Sequence, residues 1–564
     1  MASPRIPEIT SWQGVPWPQV EANVHTLQRR IYRAEQQGQR RTVKSLQRLL
    51  LRSTSAKLLA VRRVTQDNQG KRTPGVDGVA FLEPQERCRL VQNLNLAQPA
   101  RPVRRIWIPK PGTQEQRPLG IPTMSDRATQ ALVKLALEPQ WEARFEPNSY
   151  GFRPGRSCQD AIEAIFQEIR YKPKYALDAD IAKCFDRIGH QALLDKLDTF
   201  PLLRRAIKGW LKAGVLDGRD LFPTQAGTPQ GGVLSPLLAN VALHGLEEAV
   251  AAAVPKTSRL TGSKERWTPA VIRYADDLVV LHRDLSVVQK CQEVIADWLK
   301  GMNLELKPSK TFITHTLEGY DGKVGFDFLG FTVRQFRVGK HHTAKNGQGK
   351  PLGFKTLIKP SKRKVKGHYD RLKEMIRTSR TAPQEELIGR LNPVTRGWAN
   401  YYRSAVSKAT FAKLDDRLYG CLRSWARRRH PNKPAGWVAT RYWRLPRWDF
   451  GSEKAVLHKH AKTRIVRHVK VRGAKSPYDG DWLYWASRWG YYPEVSPALA
   501  RLLKEQQGRC ASCKRYFQPG DDLLERHHQD GDRTNNRRTN IVLVHRHCHD
   551  GIHRQQQEAR SPEG

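Results

Sequence analysis

Three aspartates on two short apolar segments have the residue type and surroundings for metal chemistry. Asp276 and Asp277 follow Arg273-Tyr274-Ala275, with VI before this run and LVVL after Asp277. Two strands joined by a tight turn would place both carboxylates at the tip of a hairpin, where like charges repel unless cations are bound. Asp180 stands near the end of a second short strand, YALDADI, which would pair beside the hairpin. Together they predict a cage for two Mg²⁺ ions about 4 Å apart, one activating a 3′-hydroxyl and one holding nucleotide phosphates.

At this point the residues leave other interpretations open. An Asp-Asp pair in a β-turn is often ordinary solvated turn chemistry. Asp178 competes with Asp180 as the metal ligand of its strand, and Asp186 is interpreted as a structural carboxylate.

A second group of ligand-type residues lies near the C-terminus. Cys510 and Cys513, with His545 and Cys548, form two paired-ligand knuckles that predict one tetrahedral structural Zn²⁺. His549 and His553 would lie one helical turn apart on one face. The further polar residues of this region are His527, His528 and Asn540. A purely structural zinc module with surplus histidines is the alternative. The other cysteines are scattered singly, which indicates a reducing compartment and not a disulfide framework.

The pattern along the chain predicts several units that position these residues. Residues 20–65 alternate aliphatic and basic residues at helical spacing, which predicts two basic amphipathic helices around Gly38. From Thr73 to about Phe331 the pattern is mixed α+β, with a long helix near Arg127 to Trp141. Residues 332–357 are interpreted as a connecting loop. Apolar residues then recur helically from Leu387 to Trp425, which predicts a small helical bundle, whereas residues 430–495 permit no fold assignment.

The charge balance indicates a polyanionic partner. Lys and Arg number 98 against 54 Asp and Glu, a formal charge of +44 over 564 residues. Such a surface repels itself unless a polyanion shares it, so nucleic acid is the expected partner, although ribosome-associated and membrane-surface proteins are also this basic. The sequence has no apolar stretch of about 18 residues and no apolar signal core. We therefore expect no membrane association and a cytoplasmic location, associated with ribonucleoprotein or the nucleoid in a bacterial cell.

Nine blocks of sequence, spread over most of the first 430 residues and arranged in one order, resemble the reverse transcriptases of group II introns. The blocks are RTPGVDG (72–78), IPKPG (108–112), QRPLGIPTMSDRATQALVKLALEP (116–139), SYGFRPGRSCQDAI (149–162), DADIAKCFDRI (178–188), GTPQGGVLSPLLANV (227–241), RYADD (273–277), LKPSKT (306–311) and FDFLGF (326–331).

The resemblance implies roles at the matching positions. Asp180, Asp276 and Asp277 match the catalytic carboxylates, and the spacing favours Asp180 over Asp178. The backbone carbonyl of Ile181 would be a further ligand. Phe185 matches the aromatic residue that lies under the sugar and excludes a ribose 2′-hydroxyl.

Further matches concern the incoming nucleotide. Lys110 and Arg117 match residues of the fingers that contact the triphosphate, although ordinary surface charge is the alternative for both. Gln230 matches a nucleotide contact, next to glycines that permit close backbone approach. Lys310 would serve near the primer or the active site.

Residues 391–433 resemble the thumb and maturase domain of the same family. The resemblance implies that Arg423, Arg427, Arg428 and Arg429 face the phosphates of the primer–template duplex. The alternative is a packed bundle with a solvated basic face. The resemblance also implies that the protein binds the parent intron RNA and stabilises the folded form in which this RNA splices itself. It further implies a DNA-binding region at about 436–499.

The C-terminal segment is similar to an HNH endonuclease with a ββα-metal core. In that pattern His528 is the general base, His527, His549 and His553 hold one divalent cation, and Asn540 fixes the loop that carries the base. After His528 the chain reads QDGDRTNN, where relatives often have an apolar–Pro stretch followed by a Gly pair. This departure leaves the cleavage activity open.

The sequence therefore predicts an α+β multidomain protein: a right-hand polymerase with fingers and palm, an α-helical thumb, a DNA-binding region and a C-terminal ββα-metal (HNH) domain that contains zinc. The expected boundaries are 1–65 for a basic helical extension, 66–335 for fingers and palm, 355–435 for the thumb, 436–499 for the DNA-binding region and 500–564 for the nuclease.

The resemblance implies reverse transcription, assistance to intron splicing, and nicking of target DNA for retrohoming by target-primed reverse transcription. Its expected partners are the group II intron RNA, target double-stranded DNA, an RNA–DNA primer–template and dNTPs; the oligomeric state stays open between monomer and dimer. The alternative function is an RNA-binding splicing factor with an impaired polymerase or endonuclease. A retron or diversity-generating reverse transcriptase would not carry this thumb with a terminal HNH module, and a lone homing endonuclease would not explain the first 430 residues.

Overall fold

Helices and short antiparallel sheets alternate along the chain. The computed structural model describes residues 11–80, 82–109, 115–255, 267–444, 448–481, 484–485, 488, 497–517 and 524–558. Within these ranges, no helix combines the length and the apolar character that crossing a lipid bilayer requires. The mixed α/β content agrees with the predicted fold class, whereas the predicted domain boundaries stay predictions.

The N-terminal helices form the first packed unit. They are α1 (Trp17–Gln36), α2 (Arg40–Arg52), α3 (Thr54–Arg62), a π-helical turn (Arg63–Asp67), a 3-10 turn (Gln69–Arg72) and α4 (Pro84–Asn93). The two helices predicted around Gly38 are confirmed, and Gly38 connects them with a left-handed φ of 69°. Val20, Val24 and Ile31 recur on one face of α1 and are fully buried, so the basic residues occupy the other face.

The finger strands and the two central helices follow. The elements are β1 (Val103–Pro109), β2 (Gln116–Ile121), α5 (Met124–Arg144) and α6 (Cys158–Ile169). The long helix predicted near Arg127 is confirmed as α5. It begins at Thr123, whose hydroxyl accepts a hydrogen bond from the backbone N–H of Asp126 at 3.1 Å. Helices α1, α2 and α3 all pack on α5, which makes α5 the central support of this half.

The palm contains a four-stranded antiparallel sheet in the order β6-β7-β3-β8. Its strands are β3 (Tyr175–Asp180), β6 (Ala270–Tyr274), β7 (Asp277–His282) and β8 (Phe312–His315). Strands β4 (Val215–Asp217) and β5 (Asp220–Phe222) extend the finger sheet to the order β2-β1-β4-β5. The helices in this region are α7 (Cys184–Arg187), α8 (His190–Leu197), α9 (Pro201–Lys212), α10 (Ser235–Leu243), α11 (Leu246–Ala252) and α12 (Leu285–Lys300).

The interpretation of residues 332–357 as a connecting loop is wrong at both ends, and only residues 338–353 form a connection. Strands β9 (Phe326–Phe328), β10 (Phe331–Arg337) and β11 (Phe354–Pro360) form an antiparallel sheet in the order β11-β10-β9. Phe331, Val333 and Gln335 are buried on one face of β10, while Thr332, Arg334 and Phe336 alternate with them and are half-buried. A glutamine on the buried face and an aromatic residue on the opposite face concealed the period-two pattern.

The predicted helical bundle is present after this sheet. It comprises α13 (Lys362–Thr378), α14 (Gln384–Tyr402), α15 (Lys408–Arg429) and α16 (Ala435–Tyr442), followed by β12 (Trp443–Arg444) and β13 (Asp449–Phe450). Its core contains Leu372, Leu391, Leu422 and Trp425. On α15, Leu418, Leu422 and Trp425 recur at helical spacing, so Arg423 between them reaches solvent.

The C-terminal unit contains α17 (Pro497–Glu505), β14 (Leu524–His528), a 3-10 turn (Arg538–Asn540), β15 (Ile541–His545) and α18 (Arg546–Glu558). It packs on the N-terminal helices through polar contacts. His547 Nδ1 lies 3.2 Å from Glu21 Oε1 and 3.3 Å from Arg62 Nη1, and Arg554 donates to the carbonyl of Gln13 at 2.6 Å.

Candidate active site and metal centres

The register between β3 and β7 brings the predicted carboxylates together. The two strands are antiparallel with Asp180 directly opposite Asp277, and Tyr274 on β6 also faces Asp277. Directly opposed residues have Cβ atoms about 4.5–5.5 Å apart. Asp276 occupies the turn between β6 and β7, so the three side chains share one end of the sheet.

The same register separates Asp178 from the hairpin tip. Asp178 lies opposite Val279 on β7 and Phe312 on β8. Burial, and then the neighbouring charge of Asp277, raise its pKa to about 7. Asp178 and Asp180 point to the same face, because side chains alternate along a strand, but only Asp180 opposes Asp277.

The turn that carries Asp276 has an unusual backbone. Ala275 is buried and has a left-handed φ of 57°, a conformation that L-residues adopt at a cost. Arg273 Nη1 donates to the Ala275 carbonyl at 3.2 Å and to Asn240 Oδ1 at 3.0 Å. Asn240 Nδ2 in turn donates to the Gly151 carbonyl at 2.7 Å. A Cβ on Gly151 would lie 2.4 Å from the backbone nitrogen of Ala275, so glycine is required there.

These supporting residues were not among the predicted site residues. Arg273 and Asn240 are buried, and both belong to sequence blocks of the reverse transcriptase type. A lone asparagine in the apolar run LLANV was the available signal, because a buried amide requires partners.

The electrostatics of the carboxylate cluster favour cation binding. Burial raises the pKa of Asp277 to about 7, with the nearby charges of Asp276 and Asp180 acting in the same direction. Burial also raises the pKa of Asp276. Carboxylates that lie close together repel each other and retain protons near neutral pH. Divalent cations can replace these protons and bind the carboxylate oxygens. The residues present therefore fit a magnesium site.

Lys310 supplies a compensating positive charge. Its Nζ lies 2.5 Å from Asp180 Oδ2, and this hydrogen bond raises the pKa of Lys310. The chain segment before it follows β3, because Lys307 N donates to the Asp180 carbonyl and Ala182 N donates to the Glu305 carbonyl. Ile181, the predicted backbone ligand, pairs with Leu306 in this bridge, and its side chain is buried.

Phe185 and Gln230 lie on two adjoining backbone segments. The Phe185 carbonyl accepts a hydrogen bond from Thr228 N at 2.6 Å, and its ring meets the edge of the Phe152 ring with centroids 6.0 Å apart. Gln230 Nε2 donates to Asp186 Oδ1 at 3.1 Å. Asp186 is exposed, and its interpretation as a structural carboxylate stays a prediction.

The finger hairpin presents Arg117 to the same cleft. Arg117 is exposed on β2, opposite Ile108 on β1. Its positive charge opposes the rise in the pKa of Asp276, so its field reaches the carboxylates. Lys110 lies outside the described residues.

The C-terminal unit brings together both predicted ligand groups. Cys510, Cys513, His545 and Cys548 have ligand atoms within 4.8 Å of one another. Their sulfur and imidazole donors fit the chemistry of a tetrahedral structural zinc site. The hydrogen bond from the Cys510 thiol lowers the pKa of the Cys513 thiol well below its usual range, as a ligating thiol requires.

The second ligand group is formed by three histidines. His527 on β14 and His549 and His553 on α18 have ring nitrogens within 4.8 Å of one another. Burial lowers the pKa of His527 and of His549, and the neighbouring rings act in the same direction. Neutral imidazoles are the ligand form, so the trio fits a divalent cation.

Asn540 holds the atypical loop after His528. Its Oδ1 accepts from Asp530 N at 3.0 Å, and its Nδ2 donates to Asp530 Oδ1 and to the Asn535 carbonyl, each at 2.8 Å. His528 itself lies beside this loop, with Nε2 3.5 Å from Asn536 Oδ1. The polar QDGDRTNN sequence therefore closes on itself through side-chain hydrogen bonds and not through apolar packing.

A basic groove of about 1040 Å³ lies between helices α13, α15 and α16. None of the described residues that line it is acidic. Its basic lining residues are Lys373, Arg377, Arg380, Arg417, Arg428, Arg429 and Arg441. Of the four arginines predicted to face phosphates, Arg428 and Arg429 line this groove, and Arg423 and Arg427 are exposed on α15 outside it. Arg429 Nη1 also donates to the carbonyls of Arg380 and Ala382.

Three family descriptions match successive parts of the chain. Residues 12–94 match the N-terminal domain of reverse transcriptase, residues 108–333 match reverse transcriptase (RNA-dependent DNA polymerase), and residues 365–443 match the group II intron maturase-specific domain. The chain belongs to the group II intron reverse transcriptase and maturase family. The carboxylate cluster lies within the second match, and most of the basic groove lies within the third.

Individual relatives of this family cover different shares of the chain. Protein YkfC of Escherichia coli (strain K12) is 32% identical over 320 residues, which is 49% of this chain and 81% of YkfC. The group II intron-encoded protein LtrA of Lactococcus lactis subsp. cremoris is 38% identical over 208 residues, 36% of this chain and 34% of LtrA. An uncharacterized 91 kDa protein in the cob intron of Schizosaccharomyces pombe is 27% identical over 372 residues, 55% of this chain and 44% of that protein.

The raised pKa of Asp277 predicts a pH-dependent stability. The native state holds a proton on this carboxyl up to about pH 7, whereas an unfolded aspartate releases it near pH 4. Stability is therefore lost as pH rises between these two values. In magnesium-free buffer, Asp277→Asn should raise the unfolding temperature by a few degrees at about pH 8 and change it little at about pH 4. Thermal unfolding of both proteins at both pH values checks this.

The matched control is Asp284→Asn, because the hydrogen bond from Ser286 lowers the pKa of Asp284. It should shift the unfolding temperature in the opposite direction at the higher pH. Equal unfolding temperatures for wild type and Asp277→Asn at the higher pH would contradict the electrostatic description of the cluster.

Proposed function

We propose that this chain copies an RNA template into DNA in the cleft that contains Asp180, Asp276 and Asp277. The observation that carries the proposal is the strand register that sets Asp180 opposite Asp277 beside the turn of Asp276. Two Mg²⁺ ions held by these carboxylates and by the carbonyl of Ile181 would supply activation of the primer 3′-hydroxyl and neutralisation of phosphate charge.

The surrounding side chains would bind and select the nucleotide. Arg117, together with Lys110, would hold the triphosphate by charge and hydrogen bonding. Lys310 balances the charge of Asp180 before substrate enters. The Phe185 ring, supported by Phe152, would exclude a ribose 2′-hydroxyl by contact. Gln230, held by Asp186, would orient the nucleotide from the opposite segment.

Replacement of one candidate carboxylate tests the polymerase assignment. Asp277→Asn should abolish Mg²⁺-dependent incorporation of deoxynucleotides on an RNA–DNA primer–template, because an amide is a weaker metal ligand and carries no charge. Losses of a catalytic group of this kind reach several orders of magnitude in kcat. Asp284→Asn, an N-cap carboxylate outside the cleft, is the control and should retain synthesis. Undiminished synthesis by Asp277→Asn would remove Asp277 from the active site.

We further propose that the basic groove binds the phosphate backbone of the parent intron RNA and thereby assists its splicing. The groove is lined by seven lysine and arginine side chains, and none of the described residues that line it is acidic. Arg417 lies over the ring of Tyr369, which leaves an aromatic face beside the charges. Binding energy from these contacts would stabilise the folded RNA, which performs the transesterification itself.

Removal of two groove arginines should weaken RNA binding and its salt dependence together. In the double variant Arg428→Ala/Arg441→Ala, the slope of log K for intron RNA binding against log salt concentration should decrease in magnitude by about one to two. Filter binding at several salt concentrations measures the slope. Arg396→Ala removes an exposed thumb arginine outside the groove and should preserve most of the slope. Identical slopes for the double variant and wild type would mean that the RNA binds outside this groove.

The C-terminal unit is proposed to be an HNH endonuclease that nicks target double-stranded DNA. Its support is the ββα order of β14, β15 and α18 with the two ligand groups in place. His528 would take a proton from the attacking water. A divalent cation held by His527, His549 and His553 would stabilise the phosphorane and leaving oxygen, and zinc held by Cys510, Cys513, His545 and Cys548 would be structural.

Loss of the general base should separate the two activities. His528→Ala should lose nicking of the second strand of target DNA and retain primer extension, because the two sites are built from different parts of the chain. Nicking assays with the RNA-bound protein, run beside primer extension, measure both activities. Asp277→Asn is the reciprocal variant and should retain nicking. A wild-type ribonucleoprotein that never cuts the second strand would refute the nuclease assignment.

These activities combine in one proposed pathway. The intron ribonucleoprotein would recognise target DNA through residues 436–499, nick the second strand, and extend the exposed 3′-hydroxyl with the intron RNA as template. In a bacterial cell this places the protein in the cytoplasm, beside the nucleoid.

A further inference from the structure

A segment with little regular structure leaves the thumb and returns across the molecule. We call its described residues, 456–481, 484–485 and 488, the strap. A single 3-10 turn, His460–Lys462, is its only regular element of three or more residues among those described. Nevertheless Val471, Ser476 and Trp485 are almost fully buried. A buried chain without its own ladder must find hydrogen-bond partners elsewhere in the protein.

The first half of the strap is bound to the thumb. Asp415 on α15 accepts from His460 N at 2.8 Å, from His460 Nδ1 at 2.7 Å and from Ala461 N at 2.8 Å. His460 Nε2 lies 2.8 Å from His368 Nε2 on α13. Val466 N donates to the Arg403 carbonyl, at the end of α14.

The second half is bound to the palm side through Asp160. This carboxylate lies in the first turn of α6 and is fully buried. Its Oδ1 accepts from Val471 N at 2.8 Å, His468 Nε2 at 3.0 Å and Arg488 Nη2 at 2.5 Å. Its Oδ2 accepts from Ser157 N at 2.9 Å and thereby caps the helix.

Two residues shortly before Asp160 in the sequence also contribute to the binding of the strap. Arg156 Nη2 donates to the carbonyls of Gly473 at 2.9 Å and Lys475 at 3.3 Å. A Cβ on Gly155 would lie 2.5 Å from the Trp485 ring, so glycine leaves the space that Trp485 fills. In this way the block SYGFRPGRSCQDAI supplies anchoring contacts at three positions.

A third anchor reaches the central helix of the N-terminal half. Tyr478 OH donates to Glu138 Oε2 on α5 at 2.9 Å; Glu138 is buried and Tyr478 is half-buried. The strap is therefore hydrogen-bonded at one end to three thumb helices and at the other to α5 and α6. These two helices belong to the body that carries the carboxylates.

We propose that the strap fixes the position of the thumb relative to the palm, and that Asp160 is a positioning residue for the bound primer–template. This inference rests on the proposed polymerase function, in which the duplex lies between thumb and palm. Asp160 touches neither the carboxylate cluster nor the finger hairpin. Its effect reaches the reaction through the width of the duplex channel.

The experiment uses the full-length protein and compares His468→Ala with Arg464→Ala. His468→Ala removes one buried partner of Asp160, whereas Arg464 is an exposed strap cation whose removal tests loss of charge alone. Single-binding-event primer extension with a polyanion trap measures product length, and steady-state incorporation of the first nucleotide measures kcat. His468→Ala should shorten products severalfold and raise the primer–template Kd about tenfold, with kcat within about twofold of wild type.

Asp160→Asn is the second variant, because the single amide oxygen of asparagine can accept from only one of Val471 N and Ser157 N, and the charge that His468 and Arg488 contact is removed. It should change product length in the same direction as His468→Ala and at least to the same extent, and Arg464→Ala should change it little. If neither buried variant changes product length or Kd while wild type synthesises DNA, the proposal is overturned. If kcat and the unfolding temperature fall in parallel in these variants, the hydrogen bonds of Asp160 only stabilise the fold, and the proposal is also overturned. Absence of synthesis by wild type itself would instead refute the proposed polymerase function.

Discussion

The pairing register between Tyr175–Asp180 and Asp277–His282 determines the relative position of the candidate catalytic carboxylates of the polymerase site. Side chains alternate along a strand, so a slip of one residue would turn Asp180 away from the cleft and bury a charge in the core. The observed register instead opposes two carboxylates at one sheet end. Without cations this arrangement is unfavourable, because burial first, and then the charges of Asp276 and Asp180, raise the pKa of Asp277. The buried contacts of Arg273, Asn240 and Gly151 around the left-handed Ala275 hold the turn in place despite that cost.

Many of the residues in the recognisable sequence blocks support this geometry without taking part in chemistry. Asp186 holds Gln230, and Gly155, Arg156 and Asp160 receive the strap. The C-terminal unit uses the same principle on a smaller scale, since Asn540 closes the loop after the candidate base His528. In both regions polar side chains with named partners, of which Arg156, Asp160 and Asn540 are buried, specify one arrangement of backbone segments that carry little regular structure.

The elements with strong local periodicity were predictable from sequence. The helices on both sides of Gly38, the long helix α5 and the strands of Asp180 and Asp277 all followed from apolar spacing. Residues 331–360 were not predictable in this way, because lysines, arginines and glycines at exposed positions concealed a hairpin whose buried face is Phe331, Val333 and Gln335. The strap could not be predicted from local sequence patterns for another reason. Its stability comes from side chains more than 300 positions away in sequence, such as Asp160 with His468. Arg428 and Arg429 were named from sequence, but the groove that joins them to Lys373 and Arg441 depends on how three helices pack.

Anomalous diffraction from crystals soaked with Mn²⁺, a substitute for Mg²⁺ with a usable signal, tests the central claim most directly. With primer–template and a nucleotide bound, the register requires two peaks about 4 Å apart, both contacted by Asp180 and by the Asp276–Asp277 turn. A single peak at Asp178, or occupied manganese sites that leave Asp180 and Asp277 without a shared ion, would contradict the assignment of this sheet end as the catalytic centre.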